Sequence, residues 1–197
     1  DLDRVSPDIP AMVTRLCLHA LVANSAALKA VEGRLSAEQA RTGILTEDAA
    51  ELVWDQVPEP SGSELEDAIL WALKDARRVG LAWVHCQVND GGDLRALRAL
   101  RERGDLPVRV RVQCPVSMMP RLDAEGMTAG WGDDWLSMGS MKLYADGAMG
   151  ARTAAMKEPF ADDPGNAGML MMDEAELADA LREIQAVGRQ AAVHAIG

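Results

Sequence analysis

The stretch Leu94-Arg-Ala-Leu-Arg-Ala-Leu-Arg-Glu-Arg-Gly104-Asp-Leu-Pro-Val-Arg-Val-Arg-Val-Gln-Cys114 changes its hydrophobic period part-way through. Leu94, Leu97 and Leu100 recur at the spacing that stacks side chains on one face of an α-helix. Gly104 ends the helix, at the position where a left-handed residue usually closes it. From Leu106 the period becomes two: Val108, Val110 and Val112 alternate with Arg109, Arg111 and Gln113. That is a strand with one apolar and one polar face.

The same phrase of helix, glycine and strand occurs twice more. Upstream, Ser63 and Glu66 have the spacing of a capping box. A stripe of Leu65, Ala68, Ile69, Ala72, Leu73 and Ala76 follows, then Gly80 and an apolar run from Leu81 to Cys86 that reads as a buried strand. Downstream, Asp173 and Glu176 open a helix striped by Leu177, Leu181 and Ile184, which closes at Gly188 before a strand from Gln190 to Ile196. Strands separated by helices of this length predict βαβ units and a parallel sheet. A further short strand, Met141 to Ala145, precedes a long loop running to about Met172. Loops of that length in a compact domain usually carry function.

The N-terminal third is less regular. A strand-like stretch from Met12 to Leu18 leads to a helix start at Asn24-Ser25 that ends at Gly33. Thr46 is placed to cap a second helix that runs through Val53 to Val57, and Pro58 to Gly62 reads as a linker.

Composition narrows the partners. The 197 residues carry 20 basic and 31 acidic side chains, a formal net charge of −11. Nucleic acids and anionic membranes attract basic surfaces, so neither is expected as a partner. No apolar run reaches the ~18 residues of a membrane-spanning helix. Three scattered cysteines, Cys17, Cys86 and Cys114, argue against a disulfide framework and for a reducing, cytoplasmic setting. The chain is short of the ~250 residues of a complete (β/α)8 barrel.

Parallel α/β sheets place their sites at the carboxyl ends of strands, so polar residues there are weighed first. His194 ends its strand, where it is either a core residue with a satisfied ring or a metal ligand or acid–base group. Lys142 shares a strand face with Tyr144 and Asp146 by period-two geometry. Either it reaches solvent from the strand start, or it is buried and chemically altered, since a desolvated lysine is costly. A neutral lysine amine can also take up carbon dioxide to give a carbamate, a carboxylate-like metal ligand. The Asp146-Gly-Ala-Met-Gly-Ala-Arg152 turn brings two glycines and a guanidinium fork near a possible ligand, although Asp-Gly is also an ordinary turn. His19 could line a pocket. Asn24 could join it or simply cap the helix that follows.

In order, Lys142-Leu-Tyr-Ala-Asp-Gly-Ala-Met-Gly-Ala-Arg-Thr-Ala-Ala155, Pro159-Phe160, Gly168-Met-Leu170 and Val193-His-Ala-Ile-Gly197 resemble the amidohydrolase superfamily, family 3, in its YtcJ-like and N-substituted formamide deformylase-like branch. Leu2-Asp-Arg-Val-Ser-Pro-Asp8, His19 with Asn24-Ser25, and Thr42-Gly-Ile-Leu45 agree in the same order. The resemblance implies an α/β fold, part of a (β/α)8 TIM barrel holding about strands 2 to 5. Residues 1–60 would be an N-terminal insertion after the first strand and 61–197 a partial hydrolase domain.

It further implies a metal-dependent enzyme that hydrolyses a non-peptide C–N bond of a small-molecule amide. The cofactor would be a divalent metal, zinc, as one or two ions. Lys142, often carboxylated in such enzymes, and His194 match metal-ligand positions. Asp146, Arg152, His19 and Asn24 are the expected substrate-binding residues, and assembly as a homo-oligomer is open. The family's His-x-His, its second histidine strand and its proton-shuttling aspartate are not among these 197 residues, so the rest of the site is expected from polypeptide beyond them. The alternative from another class is a catalytically inactive, barrel-derived binding module. A doubly wound sheet is disfavoured, because no Gly-x-Gly-x-x-Gly turn follows a strand.

Overall fold

The computed structural model describes residues 1–16, 20–46 and 48–197. The chain divides into two compact units: residues 1–59 with 147–169 and 196–197, and residues 60–146 with 170–195.

The second unit holds a four-stranded parallel sheet. Its strands are β4 (Trp83–Gln87), β5 (Arg109–Pro115), β6 (Leu136–Tyr144) and β7 (Gln190–His194), hydrogen-bonded in that order. Each strand pairs with the next in sequence, so the order never reverses as it does in a doubly wound sheet. The connecting helices are α6 (Gly91–Arg103) between β4 and β5, α7 (Met119–Ala124) between β5 and β6, and α8 (Glu174–Ala186) before β7. An earlier helix, α5 (Gly62–Arg78), leads into β4.

All three helix–glycine–strand phrases are present, and their glycines Gly80, Gly104 and Gly188 have φ of 91°, 77° and 71°. Asp173 and Glu176 form the expected capping box. At α5 the box lies two residues before the expected one. Ser61 and Glu64 exchange the hydrogen bonds (Glu64 N to Ser61 Oγ, 3.3 Å; Ser61 N to Glu64 Oε2, 2.8 Å) rather than Ser63 and Glu66. Both pairs have the required spacing. The helix takes the earlier one because each added residue gains a backbone bond, until Pro58-Glu-Pro60 stops it.

One face of the sheet is covered. Val110, Val112 and Cys114 of β5 and Met138, Met141 and Leu143 of β6 pack with Leu73, Leu94, Leu97, Leu100, Leu122 and Ile184 of the helices. The other face carries Trp83, His85 and Gln87 of β4, all exposed, and Arg109, Arg111 and Gln113 of β5. The strand expected at Leu81 to Cys86 is therefore half covered and not fully buried, because helices lie on one side of it only. β6 also begins earlier than the expected Met141. A bulge between Val112 and Cys114 shifts its register, and the polar residues Ser137 and Ser140 hid its apolar pattern.

In the first unit, β1 (Met12–Thr14), β2 (Ala20–Ala23) and β3 (Ile44–Thr46) form an antiparallel sheet in that order. Leu21, Ala23 and Leu45 pack on Ala27 and Val31 and on Ala50 and Val53 of α4 (Asp48–Trp54). Between them lie α2 (Ser25–Leu28), with a 3-10 turn at Lys29–Val31, and α3 (Ala37–Thr42). Gly43 is dictated by contact: at φ 67° its missing Cβ would lie 2.3 Å from the Ala23 carbonyl oxygen. A single helical turn, α1 (Leu2–Val5), opens the chain.

Candidate active site

The carboxyl ends of β4, β6 and β7 bring four side chains together. Lys142 stands opposite Ala192, and Tyr144 opposite His194, so Lys142, Tyr144 and His194 share the sheet face away from the helices. The Tyr144 ring lies between the other two. Its centroid is 5.4 Å from that of His194, tilted by 42°, and 4.6 Å from the Lys142 ammonium. Gln87, at the end of β4, reaches past β5 and donates its side-chain amide N–H to the Tyr144 hydroxyl oxygen.

Burial pushes the Lys142 amine below its ordinary value, because desolvation disfavours the charged form. Among the described residues no carboxylate forms a salt bridge to it; a tyrosine ring face is what its charge meets. On the covered side of the sheet, burial raises the Cys114 thiol to about 11, and the Cys86 thiol also lies above its usual value. Those cysteines are packing residues, since the reactive form is the thiolate.

Asp146 is 3% exposed and pairs with Leu170 through an isolated antiparallel bridge. It thus stays at the end of β6, in the same unit as Lys142 and His194. Arg152 and Asn24 belong to the other unit. The Arg152 guanidinium grips Asp162 at 3.1 and 2.5 Å, and its carbonyl accepts from Asn166 Nδ2. The Asn24 side chain is fully engaged at home. Its Oδ1 accepts from the backbone N–H groups of Ala27 and Ala11, both at 2.9 Å, while Nδ2 donates to the carbonyls of Ser6 and Ile9. It caps α2 and ties residues 6–11 to it. His19 lies outside the described residues. Among those described, no group of three or more His, Cys, Asp or Glu side chains is gathered to hold a metal.

Sequence reasoning placed Tyr144 on the Lys142 face but gave it no role, and it missed Gln87. Tyr144 was findable as the residue one period-two step beyond Lys142. Gln87 lies 57 positions away in sequence and was not.

The amidohydrolase family profile matches residues 1–197. The chain belongs to the amidohydrolase family. It is 33% identical over 214 aligned positions to the putative amidohydrolase YtcJ of Bacillus subtilis, an alignment that takes in all of this chain and 40% of that relative. It is 28% identical over 222 positions to the protein LONG AFTER FAR-RED 3 of Arabidopsis thaliana, again over all of this chain and 38% of the relative. Two uncharacterized metal-dependent hydrolases of known structure superpose on this chain. One, from Pyrococcus horikoshii, has a TM-score of 0.79 at 30% identity, over 96% of this chain and 40% of its own. The other, from Pyrococcus furiosus, has a TM-score of 0.78 at 27% identity, over 96% and 41%. The chain spans about two fifths of the length of the curated relatives it matches.

Proposed function

We propose that the chain is the central part of a metal-dependent hydrolase acting on a non-peptide amide C–N bond of a small molecule. The observation that carries this reading is the juxtaposition of a partly desolvated Lys142 with His194 at adjacent strand ends, on one face of a sequentially ordered parallel sheet. In barrels built this way, that end of the sheet carries the chemistry.

Lys142 and His194 would hold a divalent ion, zinc, as one or two ions. A bound ion of that kind lowers the pKa of its water toward ~7 and polarises a carbonyl. Two donors are fewer than a catalytic zinc needs from protein, so the remaining ligands and the acid–base group come from polypeptide outside these 197 residues. The desolvation that lowers the Lys142 pKa raises the share of neutral amine, the form that takes up carbon dioxide. A carbamate there would turn a weak ligand into an anionic one. Asp146, buried at the end of the same strand, is placed to position groups beside that ligand. Residues 1–60 are the insertion that follows the first barrel strand, the four parallel strands are barrel strands two to five, and the cytoplasm is the setting.

The test is metal content. In the longest natural polypeptide that contains this sequence, zinc, iron and manganese are measured for the wild type and for a Lys142→Ala, His194→Ala double variant. Metal bound by the wild type and lost from the variant supports the assignment; equal content in both overturns it.

A further inference from the structure

We propose that the Tyr144 hydroxyl is a hydrogen-bond donor to the carbonyl oxygen of the substrate, held in that role by Gln87. This deepens the hydrolase reading and rests on it for the substrate class, while its geometry stands apart from any metal.

A phenol has one proton to give and lone pairs to receive. The Gln87 amide N–H, which can only donate, occupies the acceptor side of the Tyr144 oxygen. The hydroxyl proton must therefore point elsewhere. Tyr144 is 38% exposed and is the last residue of β6, so an oxygen arriving at the carboxyl end of the sheet is its available partner. The ring is flanked as well as the oxygen, with Lys142 Nζ over it and His194 beside it. An aromatic ring held on three sides and presenting one oriented O–H is a preorganised donor. Such donors act most strongly where charge develops on an oxygen, as on an amide carbonyl under attack. Gln87 itself reaches the substrate only through Tyr144 and is a positioning residue.

Two variants and two readouts test this in the longest natural polypeptide containing the sequence. The first readout needs no turnover. Isotope-edited infrared spectra of N-benzylacetamide labelled with carbon-13 at its carbonyl are recorded with chelator-stripped protein. The wild type is expected to shift the carbonyl stretch to lower frequency, and Tyr144→Phe to abolish the shift. No shift with the wild type, or the same shift with both proteins, overturns the inference.

The second readout is hydrolysis by metal-loaded protein. Tyr144→Phe is expected to lower kcat/KM on the amide by about 100-fold, mostly in kcat. Its effect on the corresponding thioamide should be several-fold smaller, since sulfur is the weaker acceptor. Gln87→Ala should fall between wild type and Tyr144→Phe. A structural role would lower both substrates equally, and that result overturns the inference. Should the wild type shift the carbonyl stretch but hydrolyse nothing, the hydrolase reading fails while the carbonyl-binding role of Tyr144 stands.

Discussion

The two ends of the parallel sheet are built on opposite principles. At the amino end, charges are paired. Arg189, 6% exposed just before β7, donates to the Asp123 carboxylate at 2.5 Å and to the Met127 carbonyl at 2.9 Å. Asp133, just before β6, accepts from Arg101 at 2.7 Å and from the backbone N–H groups of Trp135 and Leu136. At the carboxyl end, Lys142 meets a ring, and Tyr144 has an acceptor side filled and a proton to give. Satisfied polar groups stabilise a fold and have nothing left to offer a ligand. Groups held in place with bonding capacity to spare cost stability and are what a site requires.

The largest break in this contrast is expected from Arg189. Arg189→Ala leaves a buried carbonyl and a carboxylate without their donor and should cost about 2–3 kcal/mol in urea unfolding. Lys142→Ala, in metal-free protein, should stay within about 0.5 kcal/mol of wild type. Arg189→Met should recover part of the loss, because Arg189 Nη1 is itself buried with no hydrogen-bond partner among the described residues and a methionine removes that cost while keeping the packing. Equal losses at Arg189 and Lys142 would dissolve the comparison.

A smaller effect is expected from pH at each end, with opposite origins. The Arg101 guanidinium, aided by the two backbone N–H groups, holds the Asp133 carboxyl far below its ordinary 3.8. The unfolded chain therefore takes up this proton first as pH falls, and the native state loses the contribution below 3.8. The stability difference between wild type and Asp133→Asn should be full at neutral pH and shrink as pH drops through that range. A constant difference would show that the ion pair contributes nothing.

The smallest is the mirror case. Burial lowers the Lys142 pKa, so the unfolded chain binds this proton more tightly just below the ordinary 10.5. Wild type should gain stability relative to Lys142→Met as pH rises through the window below 10.5, in protein freed of metal. A difference that does not move with pH would mean that Lys142 is fully solvated.

Much of the fold was legible because it is local. Leu94, Leu97 and Leu100, the glycines at 80, 104 and 188, and the Asp173–Glu176 box act within a few residues of one another, and each forms as read. The errors also have local causes. Two overlapping Ser-x-x-Glu pairs compete at the start of α5, and a bulge disturbs β6. The site was legible only as strand ends. Lys142 and His194 are polar residues where packing favours Val or Ile. Gln87 is an ordinary glutamine until the sheet brings it to Tyr144.

By itself, then, the sequence determined the periodicities, the closing glycines, the Asp173–Glu176 cap and the family, since each depends on residue types at short, fixed spacings. Only the tertiary structure decided which helices cover the sheet, which face stays uncovered, and that Tyr144 stands between Lys142 and His194 with Gln87 at its oxygen. Those are contacts between residues far apart in the chain, and only the register of neighbouring strands can set them.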